Sequence, residues 1–410
     1  MTPSDNPVTD IAVVGGGLTG IPLALVLAAA GWHVTLFDQS NRPQNISLTD
    51  SLEQQCIALS AGSVLWLREH NLWPLLADHA CAINRVHVSQ QGFFGATRLH
   101  AEELGVHALG QVVEVRQFLQ DLAPAVVASQ SLEHVSATVT SVDTKADHVV
   151  IHSDAGQSDV RARLLIAVDG TTSRVRESLS IGTRQVDYNQ AAVLGTVALD
   201  QPHSNTAFER FTGTGPLALL PRPDNHMSFV ECIDPADQSR IKSLDNADYL
   251  AHLQSRFGHR LGRFRATGSR LVVPLLRIEA TQQTGPRCVL LGNAVRLLHP
   301  IAGQGYNLAL RDVAELVRQL GAGGQLVGTA DAGNRGNGKQ MIDPGDARLL
   351  ARFVEKRRDD QQQVVRLTDA LARSFRGEWS ALSHLRALGL LSIDTITPLR
   401  RRFARRTMGL

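Results

Sequence analysis

DIAVVGGGLTG, residues 10–20, is the stretch whose reading decides the fold. The branched apolar run Ile11–Val14 ends in glycine, the pattern of a fully buried strand. Gly15, Gly17 and Gly20 then fall at G-x-G-x-x-G spacing. An apolar, alanine-rich stretch follows to Ala30, with Gly31 where a C-terminal cap belongs, and predicts a helix. HVTLFD, residues 33–38, predicts a second strand ending in Asp38. Strand, glycine loop, helix and strand with a terminal acid form a dinucleotide-binding βαβ unit. Gly15 permits the tight turn, Gly17 lets backbone approach a pyrophosphate, and Gly20 lets the helix pack against the sheet. The helix N-terminus favours the phosphate charge, and Asp38 accepts hydrogen bonds from a ribose. Leu18 and Thr19 in the loop and Gln39 after the acid complete this first set of candidate contacts.

Two later stretches repeat the strand-then-glycine arrangement. LLIAVDGTTSRVR, residues 164–176, predicts a strand delivering Asp169 and Gly170, followed by Ser173 and Arg176. An acid there reaches a ligand crossing the sheet's carboxyl edge, although an ordinary Asp-Gly turn reads the same way. CVLLGN, residues 288–293, predicts another buried strand, leading into GNAVRLLHPIAGQGYNLALRD, residues 292–312. Pro300, Gly303, Gln304 and Gly305 shape a tight loop. Leu308, Val313, Leu316, Val317 and Leu320 mark one face of a following helix. Backbone N–H groups at that helix start face the strand end, an arrangement that stabilises an anion.

Between these motifs, residues 58–80 carry helical spacing broken near Asn71 and Pro74. Segments within 83–100 and 135–170, and at 191–199, 216–221, 227–233 and 270–276, read as strands of a mixed or antiparallel sheet. Phe208, Glu209, Arg210 and Phe211 are expected to precede a strand of that sheet, which would roof a substrate. Residues 321–346 are rich in Gly, Asn and Asp and predict a flexible loop; residues 347–376 predict a long charged helix. Pro22 lies inside the first helix and is expected to kink its first turn.

Bulk properties exclude several classes. The 410 residues suffice for two domains and a large core. A net charge of +2 gives no support for a nucleic-acid binder. The four cysteines, Cys56, Cys81, Cys232 and Cys288, form no C-x-x-C pair and read as reduced thiols of a cytoplasmic protein. No basic n-region precedes Arg42, which argues against a signal or transit peptide. The apolar run Ile21–Ala30 is too short to span a bilayer, which needs about 20 residues. The tail RRRFARR, residues 400–406, carries five arginines behind the apolar LRALGLLSI. A solvated helix face is one reading; attraction to anionic lipid headgroups at the cytoplasmic membrane face is the other.

GGGLTG, VDGTTSRVR and GNAVRLLHPIAGQGYNLALRD, in this order, resemble the dinucleotide, DG and GD motifs of the single-component FAD-dependent aromatic hydroxylases. ALSAGSVLWLREHNLWPLL, ALGQVVEVRQFLQDL, AFERFTGTGPLALLP and TPLRRRFARRTMG are similar to the ubiquinone-biosynthesis branch, the UbiH/VisC family. The Asn293 that replaces the usual Asp, together with the FERFTGTGPLALLP segment, resembles its 2-polyprenyl-6-methoxyphenol hydroxylase subgroup. The resemblance covers essentially the whole chain. It implies an α/β fold: a Rossmann-like FAD-binding domain over 1–75, 101–185 and 285–320, an inserted β-sheet substrate domain over 76–100 and 186–284, and C-terminal helices with a basic tail over 347–410. It implies bound FAD, transient NAD(P)H, dioxygen, a polyprenyl phenol substrate, ring hydroxylation through a flavin C4a-hydroperoxide, and association with other ubiquinone-biosynthesis proteins.

The same resemblance implies residue roles. Gly15, Gly17, Gly20 and Asp38 would hold the FAD adenosine and pyrophosphate, and Asp169 and Gly170 would line a groove shared with the pyridine nucleotide. Asn293 would contact the ribityl chain or pyrophosphate. His299, Pro300, Gly303, Gln304, Gly305 and Tyr306 would lie against the isoalloxazine ring, with Asn307 near its pyrimidine edge and Arg116 as a further contact. His299, Pro300, Gly303 and Gln304 are the candidate catalytic group, His299 being as readily a shape-setting residue as an acid or base. Asp38 stands for a more usual Glu, and Gln55 for a usual Arg, which puts a phosphate or substrate contact in question. No W-x-W-x-I-P halogenase segment is present. A reductase-type flavin oxidoreductase and a non-catalytic flavin-binding component remain as alternatives.

Overall fold

The computed structural model describes residues 8–39, 55–154, 159–321, 342–374, 391, 392 and 394–409. Three sheets organise them. The first runs, in spatial order, Thr284–Gly285, Cys288–Leu290, Val160–Ala167, Val8–Val14, Val34–Asp38 and Leu132–Ser136. Its last five strands pair in parallel. Parallel strands need both faces covered, and the residues comply: Ile11, Ala12 and Val13 are fully buried. Ile11 and Val13 pack towards the helices Gly20–Ala29 and Gln304–Leu320, while Ala12 and Val14 pack towards Val139, Val149 and Val175 on the other face.

The second sheet runs Arg296–Leu297, Leu271–Ala280, Thr183–Leu199, His226–Ile233, Gly215–Arg222, Thr206–Thr212, Arg85–Gln90 and Ala96–His100. It is antiparallel apart from the parallel pair Thr206–Thr212 with Arg85–Gln90. One face carries Val193, Leu217 and Phe229 and is covered by the helix Asn246–Phe257 through Tyr249, Leu253 and Phe257. The other face turns towards the 299–304 loop and the long helix Ala347–Ser374: Phe211 packs on Ile301, and Cys232 and Leu275 pack with Ala372. Fully burying such side chains stabilises by roughly 1.5–3 kcal/mol each, so both faces tie the sheet firmly into the molecule.

Several expectations are corrected. Residues 58–60 belong to a strand, Cys56–Ser60, not a helix. That strand pairs with Gly110–Glu114, which also pairs Cys81–Ile83, forming a third, small sheet. The helix begins only at Ala61, where the Ser60 side chain accepts from the Ser63 N–H. Phe208 to Phe211 precede the strand Gly215–Arg222, as expected, but themselves form a further strand, Thr206–Thr212. The strand at 288 stops at Leu290 because Gly292 takes a φ of 57°, which turns the chain out of the sheet. Pro22 does not disrupt its helix: it lies in the first turn, where its missing N–H would have had no intrahelical partner. The glycine-rich stretch predicted as a loop falls mainly outside the described residues; its end, 342–346, leads into the helix Ala347–Ser374.

The elbow helix Gln304–Leu320 and the long helix are joined by a buried charge network. Asp312, 1% exposed, accepts from Arg357 Nε at 2.6 Å and from Gln361 Nε2 at 3.0 Å. Arg357 also pairs with Asp360. Asp312→Ala leaves Arg357 only its outer partner. Breaking a buried ion pair costs about 3–5 kcal/mol, and the surviving Asp360 contact puts this loss near the lower end. Urea unfolding of the variant is expected to read a destabilisation of about 3 kcal/mol; a change below about 0.5 kcal/mol, the scale of an inert surface substitution, contradicts the assignment.

Candidate active site

The carboxyl ends of three parallel strands lie side by side: Val14 pairs with Ala167, and Ala167 with Leu290. The three sequence motifs, far apart in the chain, therefore emerge on one sheet edge. In the first, Gly15 has a φ of 113° and donates to the Phe37 carbonyl at 2.8 Å. A Cβ on Gly15 would sit 2.5 Å from the Val168 oxygen, one on Gly16 2.4 Å from the Asp38 carboxylate, and one on Gly20 1.8 Å from the Gly15 oxygen. A Cβ on Gly17 meets nothing within 4 Å. Gly15, Gly16 and Gly20 serve close packing, and Gly17 faces open space. The helix that follows starts with no side-chain cap and no acid in its first turn, which leaves its backbone donors for an anion.

In the second motif Asp169 Oδ2 accepts from the Val175 N–H at 3.2 Å, while Oδ1 is buried without a partner. Arg176 donates to the Thr171 carbonyl at 2.7 Å and to the Ala294 carbonyl at 2.8 Å. It thereby staples the second motif to the third. Gly170, at a φ of 86°, opens onto space.

The third motif closes the arrangement. Gly292 packs against Thr19, Asn293 is exposed, and the Tyr306 hydroxyl donates to the Leu18 carbonyl at 2.8 Å. Gly303 has a φ of 58° and precedes the elbow helix, which also starts without a side-chain cap. Gly305 has no neighbour within 4 Å of where a Cβ would stand. Pro300 is exposed and Gln304 buried. Asn307 does not offer its side chain outward. Its Oδ1 accepts from Ser60 N at 2.8 Å and Ser63 Oγ at 2.7 Å, and its Nδ2 donates to the Ala58 carbonyl at 2.9 Å and the Gly303 carbonyl at 2.8 Å. All four of its hydrogen-bonding positions are used, so Asn307 locks the elbow to the small sheet.

His299 is fully buried. Its Nδ1 accepts from the Ile301 N–H at 3.2 Å, which places the ring proton on Nε2, and Nε2 has no partner. Burial depresses its pKa to about 4, so it is neutral at physiological pH. It meets the Tyr188 ring edge-to-face at 5.0 Å between centroids. Arg116 and Gln39 are exposed, Arg116 in the first turn of the helix Val115–Ala128 and Gln39 just past Asp38. Gln55 lies away from the glycine loop, in a small cavity with Cys56, Leu194, Gly195, Leu220, Ser228 and Val230, beneath the second sheet. Burial pushes the Cys56 thiol up to about 11, which leaves it unreactive.

FAD fits these residues. Two uncapped helix starts, three glycines open to space and the orphaned Asp169 oxygen share one edge. Residues 8–333 match the FAD binding domain family. The chain belongs to that family. Ubiquinone hydroxylase UbiL of Rhodospirillum rubrum is 33% identical over 100% of this chain and 91% of its own length. The 3-demethoxyubiquinol 3-hydroxylase of Escherichia coli is 29% identical over 99% of this chain and 100% of its own. Among solved structures, p-nitrophenol 4-monooxygenase PnpA from Pseudomonas putida superposes with a TM-score of 0.77 at 15% identity, covering 98% of each chain, and shares the fold. The chain is thus an FAD-dependent flavoprotein of the ubiquinone-hydroxylase branch, and a reductase reading finds no support among these relatives.

The two kinds of glycine predict opposite failures. Gly17→Ala should fold with an unchanged melting temperature yet bind FAD at least about tenfold more weakly, a loss of about 1.4 kcal/mol. Gly20→Ala should lose the folded state first, because its Cβ meets backbone at 1.8 Å. Flavin titration and thermal melts of the apoproteins separate the two; a Gly17→Ala protein with native flavin affinity removes Gly17 from the site.

Proposed function

We propose that this flavoprotein hydroxylates the ring of a polyprenylated methoxyphenol in ubiquinone biosynthesis, with NAD(P)H as reductant and dioxygen as oxygen donor. The convergence of three glycine-bearing strand ends on one sheet edge carries this reading. FAD, when bound, supplies the redox chemistry. Gly15 to Gly20 and Asp38 would hold its adenosine and pyrophosphate, with Asp169, Gly170 and Asn293 along the sheet edge. The start of the elbow helix at Gln304–Tyr306 would place backbone donors and the positive end of its dipole beside the flavin ring, where negative charge develops. The sheet face bearing Leu194, Leu220 and Val230 would exclude water from the ring being hydroxylated.

The purified protein is expected to be yellow and to release FAD on denaturation. NAD(P)H oxidation should accelerate with 2-geranyl-6-methoxyphenol, and mass spectrometry should find one added oxygen in the product. A saturated product would replace the hydroxylase with a reductase; phenol-independent oxidation without product would leave a flavin-binding component. The position of the new hydroxyl identifies the ring carbon.

We propose further that the C-terminal helix Thr397–Met408 apposes the protein to an anionic membrane, where such a phenol resides. Ala404 and Met408 pack inward against Cys81 and Leu99, and Arg400 pairs with Glu103 at 2.8 Å. Arg401, Arg402 and Arg405 point outward. Leu65, 49% exposed, lines a depression with Gly409 at the end of this helix, and Ile396, 50% exposed, precedes it. Each surface arginine is worth about 1 kcal/mol on an anionic bilayer. Replacing the three by alanine should therefore cut binding to phosphatidylserine-containing vesicles by roughly 10² and leave neutral vesicles unaffected. Equal sedimentation of wild type and variant contradicts the proposal.

A further inference from the structure

One partly buried acid has so far been given no role. Glu209 sits in the middle of the strand Thr206–Thr212. Its neighbours Phe208 and Arg210 point to the side covered by the helix Asn246–Phe257: Phe208 contacts Phe257 at 5.4 Å between centroids, and Arg210 Nε donates to the Arg256 carbonyl. Alternation puts Glu209 on the opposite face with Phe211, which packs on Ile301 in the 299–304 loop. Strand register fixes its row: Val88 and Ala218 flank it directly, and Val230 and Leu194 continue the row into the cavity bordered by Gln55 and Cys56. These flanking side chains are apolar.

A carboxylate so placed is costly unless something pairs with it. Glu209 Oε1 is buried and has no hydrogen-bond partner. Two further buried polar atoms have no partner. Gln90 Oε1 stands two residues beyond Val88 on the adjacent strand, on the Glu209 face, and His299 Nε2 lies two residues before Ile301. The Glu209 face therefore presents two acceptors that the protein itself leaves unused.

We propose that Glu209 binds the phenolic hydroxyl of the substrate and takes its proton, with Gln90 beside it as a second acceptor. This rests on the hydroxylase reading above. The phenol O–H bond breaks, a carboxyl O–H bond forms, and the electron pair stays on the phenolate oxygen, where it enriches the ring towards an electrophilic oxygen. No oxidant or reductant enters this step, and the proton returns to the product oxygen. Burial raises the Glu209 pKa to about 7, so the carboxyl is poised to exchange a proton at physiological pH. The titratable group that feels its charge is Cys232, whose thiol burial holds protonated, and no cation of the described residues pairs with it.

The test compares the FAD-loaded wild type with Glu209→Gln and Glu209→Asp, using 2-geranyl-6-methoxyphenol. Glutamine still accepts a hydrogen bond but cannot take the proton. KM should stay within about threefold while kcat at neutral pH falls roughly 10²-fold, the scale of a lost general base. In the wild type kcat should rise with pH through about 7. In Glu209→Gln that inflection should vanish and the rate should climb only towards the phenol's own ionisation near about 10. Glu209→Asp should restore part of the rate and the inflection. A second readout needs no turnover. The folded-state pKa lies above the ordinary carboxyl value, so this group costs stability as pH rises from about 4.5 to about 7. Glu209→Gln should therefore melt higher than wild type at pH 8 and no higher at pH 4. A Glu209→Gln enzyme that keeps the inflection and a rate within twofold overturns the proposal, as does one that melts below wild type at pH 8. A wild type that loads FAD but never hydroxylates the phenol overturns the hydroxylase reading instead, and the proton-acceptor role falls with it.

Discussion

The parallel pairing of Val8–Val14, Val160–Ala167 and Cys288–Leu290 is the constraint on which the rest depends. Parallel strands end on one edge, so any residue following their last buried position is delivered to the same place. Each of these strands is apolar enough to require burial on both faces, and each is followed within two residues by glycine or by an acid beside glycine. Burial thus sets the strands, and the strands set the site.

That edge would still be loose without cross-links between its loops. Arg176 reaches from the second motif to the Ala294 carbonyl, the Tyr306 hydroxyl reaches from the third to Leu18, and Asn307 fastens the elbow to Ala58, Ser60 and Ser63. Each unmet hydrogen bond in such a setting costs about 1–3 kcal/mol, which makes the loop conformations mutually dependent. The Asp312–Arg357–Gln361 network performs the same service one layer further out, seating the long helix whose Leu371 and Ala372 border the second sheet.

What was legible in the sequence was local. The G-x-G-x-x-G loop, the Asp169-Gly170 turn and the Gly303–Gly305 elbow are each written within a few residues, because a tight turn or close approach demands glycine at a fixed position. The strand Cys56–Ser60 was not legible: ALSAGS has helical spacing, and only pairing with Gly110–Glu114, some fifty residues later, makes it extended. The saturation of the Asn307 side chain by Ala58, Ser60, Ser63 and Gly303 was not legible either, being a tertiary fact. Glu209 carried a signal that went unused. In AFERFT the alternation of Phe208 and Arg210 against Glu209 and Phe211 marks a two-faced strand with an acid on one apolar side, and only the register shows which side turns to the 299–304 loop.

The two halves of the interlayer contrast in how they treat polarity. On the nucleotide side most polar groups are consumed internally: Asn307 is saturated, Arg176 is doubly paired and the Tyr306 hydroxyl is donated away, with Asp169 Oδ1 the exception. On the sheet side and at His299, three polar atoms are buried and left unsatisfied. A folded chain tolerates such atoms at a cost of about 1–3 kcal/mol each, and close packing elsewhere in this core shows that the sequence had apolar alternatives. Unspent acceptors at Glu209 and Gln90 on one sheet face are what the proposed phenol-binding role requires. On the proposed reading, the cross-linked edge would hold the cofactor, and the unsatisfied sheet face would select the molecule brought to it.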